Sequence, residues 1–154
     1  MTLRLIVSGS RHLTPDRHAD AVRQGLVWAG TLLGRDTVLV HGDAAGADTI
    51  AREQWERWGL PTLAYPAGWD GYGPSAGPRR NEQMAADGAD ICMIWPHPDP
   101  REPSAGTWDM AGRALAHSIT VISGWTLTPV LEVPDRSVRG PHGVLLREGV
   151  IAVG

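Results

Sequence analysis

One unit limits what this chain can fold into more than any other. The apolar run Val38-Leu39-Val40 leads into His41-Gly42-Asp43-Ala44-Ala45-Gly46-Ala47-Asp48 and then into Thr49-Ile50-Ala51-Arg52-Glu53-Gln54-Trp55. It reads as a buried strand, a glycine turn and a helix. That order leaves backbone N–H groups projecting from the helix N-terminus, where an anion is readily held. Gly42 and Gly46 either let a ligand approach the backbone closely or merely relieve sterics in a plain β–α turn. Asp43 and Asp48 are placed to take ribose hydroxyls, or Asp48 caps its own helix.

The same alternation runs along the first four-fifths of the chain. Leu3 to Val7 reads as a strand ending at Ser8-Gly9-Ser10-Arg11, and Pro15 then opens a helix with Thr14 as N-cap and Asp16 in its first turn. Ala19, Val22, Leu26, Ala29 and Leu33 keep a helical period up to Gly34. A second helix is predicted from Ala47 to Trp58 and a short strand from Pro61 to Tyr65. Pro66 to Pro78 has no apolar period and reads as a loop. Then follow a helix over Arg79 to Asp87, a strand over Asp90 to Trp95, a proline-rich stretch from Pro96 to Pro103, a helix over Gly106 to His117 and a strand over Ile119 to Ser123. This spacing predicts an α/β fold, a doubly wound and mainly parallel sheet with helices on both faces. From Trp125 the period changes, and residues 125–154 read as a C-terminal β extension of the domain formed by residues 1–124. A two-stranded ribbon is marginal in water, so the extension is expected to dock on the sheet or on another subunit, most simply in a homo-oligomer such as a dimer.

Composition narrows the class. The chain has 154 residues, with 14 basic against 17 acidic side chains and a net charge of −3. Every basic residue is arginine, so a phosphate-gripping or Schiff-base lysine is excluded. The acidic balance makes nucleic acid an unfavoured partner. No apolar run approaches the roughly 18 residues of a membrane span, and no signal-peptide pattern opens the chain. The lone Cys92, inside the strand-like Ile91-Cys92-Met93-Ile94, reads as a small buried hydrophobe in a protein of a reducing cytoplasm. No histidine or cysteine spacing is typical of zinc, and no metal or other cofactor is expected.

Ligands of an open parallel sheet sit beyond the carboxyl ends of its strands. Here those ends are Gly9-Ser10-Arg11, His41-Gly42-Asp43, Pro66 onward and the Pro96 to Thr107 loop. Ser104-Ala105-Gly106-Thr107 is a second strand-to-helix turn with amides and hydroxyls suited to phosphate, or an ordinary cap. Gly77-Pro78-Arg79-Arg80-Asn81 sets two guanidinium groups at a predicted helix start, against the helix dipole, which makes sense if one of them reaches an anion. Trp69 and Tyr72 either stack on a base or cover the core.

In their order, Gly9-Ser10-Arg11, His41 to Asp48, Pro66-Ala67-Gly68-Trp69, Ala76 to Asn81 with Met84, and Gly106-Thr107 resemble the SLOG superfamily, specifically its YspA-like branch, over about residues 3 to 123. The resemblance implies a Rossmann-like fold and a nucleotide or nucleotide-sugar ligand such as ADP-ribose, bound in a sensing role. It also raises an alternative, since the related Lonely-guy phosphoribohydrolases release a base from a nucleoside monophosphate. Arg80, four residues before Met84, matches the arginine of the motif Arg-Lys-x-x-Met, with Asn81 in place of lysine. Gly106-Thr107 matches Pro-Gly-Gly-x-Gly-Thr-x-x-Glu, but Met110 stands at the catalytic glutamate, and Asp109 is turned about 100° from it on a helix. The chain is therefore expected to bind rather than hydrolyse.

Overall fold

The computed structural model describes residues 2–134 and 150–152. Five strands, β1 (Arg4–Gly9), β2 (Val38–His41), β3 (Thr62–Ala64), β4 (Ile91–Trp95) and β5 (Thr120–Ser123), form one sheet in the order β3-β2-β1-β4-β5. All four pairings are parallel. Crossovers between parallel strands need helices, and the apolar periods supply them. These are α1 (Pro15–Leu33), α2 (Ala47–Arg57), α4 (Ala76–Asp87) and α5 (Ala105–Ala116), with the single-turn α3 (Trp69–Tyr72) before α4. The predicted α/β, doubly wound, parallel class is the one observed.

Burial on both faces explains why the central strands are apolar throughout rather than alternating with polar residues. Leu5 and Val7 of β1 with Met93 and Trp95 of β4 join Val22, Leu26 and Ala29 of α1 and Ile50, Ala51 and Trp55 of α2 on one side. Ile6, Cys92 and Ile94 face the other way, onto Met84 and Ala85 of α4 and Met110, Ala111 and Ala114 of α5. Cys92 is fully buried, and burial pushes its thiol up to about 12. The thiolate is the reactive form. Native protein is therefore expected to resist iodoacetamide at pH 8, with labelling appearing only after addition of denaturant; rapid native labelling would contradict this packing.

The loop predicted over Pro66 to Pro78 is partly helical. Trp69–Tyr72 forms α3, Gly73–Ser75 a 3₁₀ turn, and α4 begins at Ala76 rather than Arg79. Pro78 then lies in the first turn of α4, where a missing N–H leaves no helical bond unmade. Arg79 and Arg80 accordingly sit past that first turn, not at the helix start. Thr14 gives no side-chain cap to α1; instead its backbone N–H donates to His18 Nδ1 at 2.9 Å.

After β5 the chain turns back on its own sheet. Ser123 N–H donates to Thr128 O at 2.9 Å and Val130 N–H to Val121 O at 2.8 Å, an antiparallel return along the β5 edge. β6 (Glu132–Pro134) then pairs antiparallel with β7 (Val150–Ala152). Residues 135–149, the middle of the expected extension, lie outside the described residues. Among the described residues no helix is long and apolar enough to cross a membrane.

Candidate functional site

Strand order reverses direction between β1 and β4, because the chain winds outward from β1 to β3 and then returns to the far side of β1. Such a switch point opens a crevice beyond the carboxyl ends of the two strands. A cavity of about 560 Å³ lies there. Its walls are the end of β1 (Val7 to His12), the β2–α2 turn (Gly42, Ala44, Asp48), Trp69 and Pro74, one face of α4 (Gly77, Pro78, Arg80, Asn81, Met84), and the start of α5 (Pro103 to Thr107, Asp109, Met110).

Of the side chains and turns singled out in the sequence, this cavity brings together Gly9, Ser10, Arg11, Gly42, Asp48, Trp69, Arg80, Asn81, Ser104, Gly106 and Thr107. His41, Asp43, Gly46 and Arg79 do not line it. His41 is buried under the turn, where burial lowers its pKa, and its Nδ1 accepts the Asp43 N–H at 3.1 Å. Asp43, held in the left-handed region (φ 57), is exposed. Gly46 backs onto Ser10 and Arg11 of the neighbouring loop, so its missing side chain serves loop packing rather than ligand approach. Arg79 points away from the cavity, over the Tyr72 ring at 4.6 Å from its centroid, with its Nε on Ser75 Oγ at 3.2 Å.

In the β2–α2 turn the protein supplies its own carboxylate to the backbone amides. Asp48 Oδ2 accepts the N–H groups of Gly42 at 2.9 Å and of Ala44 at 3.4 Å. Burial pushes Asp48 up to about 6, against the pull of those two amides and of Arg80. Asp48 does not cap α2; its carboxylate instead binds the amides of the turn that precedes the helix. The start of α5 lines the same cavity. Ser104 Oγ accepts the His97 N–H at 2.9 Å instead of capping the helix, and Gly106 N–H and Thr107 N–H have no hydrogen-bond partner among the described residues.

Arg80 crosses the cavity wall. Its Nη1 donates to the carbonyl oxygens of Gly42 and Tyr65, and its Nε donates to Asn81 Oδ1 at 2.9 Å. The guanidinium thus reads the carboxyl ends of β2 and β3 at once. Among the described residues neither Arg80 nor Arg11 has a carboxylate at ion-pair distance (Arg11 is exposed, Arg80 half-buried). Asn81 is buried and donates its Nδ2 to Asp109 Oδ2 at 2.9 Å and to Gly106 O at 3.3 Å, which joins α4 to the start of α5. Asp109 is not turned out of the site as the 100° argument implies; it lies on the wall beside Met110, and Arg113 Nε also donates to its Oδ2 at 2.9 Å. His12 is a wall residue that sequence reasoning passed over; its place one residue beyond the Gly9-Ser10-Arg11 turn is the only signal that could have found it. Among the described residues no group of three histidine, cysteine or carboxylate side chains is arranged to hold a metal.

Comparison with known proteins adds the following. No family model matches the chain. It is 42% identical over 67 residues to the Gene 61 protein of Mycobacterium phage D29, covering 38% of this chain and 51% of the phage protein. Its fold is similar to that of DNA processing protein A (DprA) from Streptococcus pneumoniae, with a TM-score of 0.57 and 21% identity over 79% of this chain and 50% of that one. The chain thus spans about half the length of each of these two proteins. The fold likeness bears out the Rossmann-like architecture. It also corrects the expectation that nucleic acid is unfavoured, because a DNA processing protein is built on the same fold. Net charge does not decide the partner, because it averages over the whole surface, whereas a ligand meets the local field of a cleft.

Proposed function

We propose that the chain binds a nucleotide through its phosphate at the switch-point cavity. The observation that carries this reading is the pairing of two guanidinium groups, Arg11 and Arg80, with the start of α5 on one cavity, neither arginine lying within ion-pair distance of a carboxylate among the described residues. Guanidinium groups give phosphate charge-assisted hydrogen bonds, which Arg80 can make through Nη2, the nitrogen that Gly42, Tyr65 and Asn81 do not engage, and helix amides add a partial positive charge. The Gly106 and Thr107 amides supply that second contact, and Trp69, half-exposed on the rim, offers its ring to the base. An ADP-ribose-type ligand and placement in the YspA-like branch belong to this proposal. The fold likeness to a DNA processing protein supports a second reading, in which the phosphate belongs to a nucleic-acid strand. Hydrolysis has weaker support, since Met110 holds the position a catalytic carboxylate would need and Asp109 is engaged by Asn81 and Arg113.

Titration calorimetry with AMP, ADP-ribose and a short single-stranded oligonucleotide tests the proposal. At least one is expected to bind, and Arg80→Ala to weaken it about tenfold or more, as the loss of a charge-assisted pair predicts. Because Arg80 also ties Gly42 to Tyr65, the variant's unfolding is followed in parallel and only folded protein is compared. Absence of binding to all three, or an undiminished affinity in folded Arg80→Ala, would sink the reading.

A further inference from the structure

Across the N-terminal turn of α4 from the proposed site lies a second, larger cavity of about 850 Å³. The two share Pro78 and Arg80. Arg80 is therefore a partition between them, fixed from behind by the carbonyl oxygens of Gly42 and Tyr65. The short α3 carries one exposed aromatic ring for each side. Trp69 lines the first cavity and Tyr72 the second, 50% and 58% exposed.

Arg79 completes the second cavity. Its guanidinium lies over the Tyr72 ring, anchored by Ser75 Oγ, and among the described residues it has no carboxylate within ion-pair distance. A solvated surface arginine would be equally content pointing outward. Here the cation is instead held against an exposed ring on the wall of a cavity, an arrangement that suits a stacking platform. The sequence of features along the protein surface is then ring, guanidinium, ring, at Trp69, Arg80 and Tyr72. That is the pattern of base, phosphate, base.

Resting on the nucleotide reading of the first cavity, we infer that the second cavity is a further nucleoside subsite, and that the ligand is two nucleosides joined by a phosphodiester whose phosphate lies at Arg80. A free dinucleotide and one step of a single-stranded polynucleotide share this chemistry. Stacking is tolerant of base identity because every base has an aromatic face, so the probes need not match the natural bases.

Calorimetry on the full chain compares AMP and TMP with 5′-phosphorylated diadenylate and dithymidylate, and with the corresponding octanucleotides. The dinucleotides are expected to bind about tenfold more tightly than the mononucleotides, the gain of one stacked base. Tyr72→Ala should abolish that gain and leave AMP affinity unchanged, while Tyr72→Phe, which keeps the ring, should retain it. Equal affinity for octanucleotides and dinucleotides identifies a dinucleotide ligand, and a further rise with length identifies a strand; either agrees with the inference. Mononucleotide binding with no gain in the dinucleotides overturns the second subsite and spares the first. A gain that survives Tyr72→Ala overturns the assignment of the second base to this cavity. Failure of mononucleotides and dinucleotides alike overturns the first reading and this one together.

Discussion

Gly46→Ala is expected to destabilise the protein by about 3 kcal/mol or more, by adding left-handed backbone strain to a steric overlap. Gly46 has φ +75, which L side chains rarely adopt. A Cβ placed there overlaps Ser10 O and comes within 2.6 Å of the Arg11 carbonyl carbon and 2.7 Å of Arg11 Cα. Those neighbours are backbone, and they cannot swing aside as a side chain would. Ser10 O also accepts the Ala47 N–H at 3.1 Å, so displacement of the β1–α1 loop breaks the contact that seats α2. Gly59 provides the control, with φ +76 and nothing within 4 Å of its added Cβ. Gly59→Ala should cost only about 1–2 kcal/mol, the strain alone. Urea unfolding of the two variants checks the difference. Equal losses would mean that the loop packing at Gly46 is slack.

The second large effect is on the pH dependence of stability and belongs to Asp48. Its folded pKa, about 6, lies above the ordinary 3.8 because burial is the largest influence on it. A carboxyl group whose folded pKa is raised stabilises the folded state fully below the unfolded value and loses that contribution as pH climbs through the folded one. A rise from 3.8 to about 6 corresponds to about 3 kcal/mol in full, of which about 2 kcal/mol is lost between pH 4 and pH 7. Asp48→Asn keeps a carbonyl oxygen for the Gly42 and Ala44 amides but cannot ionise. Relative to the parent, the variant should therefore gain about 2 kcal/mol as pH rises from 4 to 7, measured by urea unfolding at both pH values. A constant difference would show no raised pKa. A change of opposite sign would show that the two amides and Arg80 outweigh burial.

The α/β alternation could be read from the chain because it depends on local quantities. An apolar period of 3.6 survives in α1 whatever packs on it, and a run such as Ile91 to Trp95 with no polar member needs cover on two faces. Glycine after β1 and after β2 likewise marked where the walls of the crevice would stand. α4 starts three residues before the predicted Arg79 because Pro78, a usual helix breaker, occupies the first turn, where its missing N–H costs little.

The sequence by itself determined the five strands of the sheet, the four long helices, their order, and the four loops that meet at one end of the sheet, since each follows from backbone chemistry and the spacing of a few residues. Tertiary structure alone decided which groups are free to act. Asp48 lies six residues from Gly42 in sequence, yet only the closed turn shows its carboxylate on that amide. Arg79 and Arg80 are adjacent and chemically identical, but one stacks on Tyr72 while the other reaches the carbonyls of β2 and β3. Successive helical residues point about 100° apart, and which direction faces a ligand depends on what else packs there.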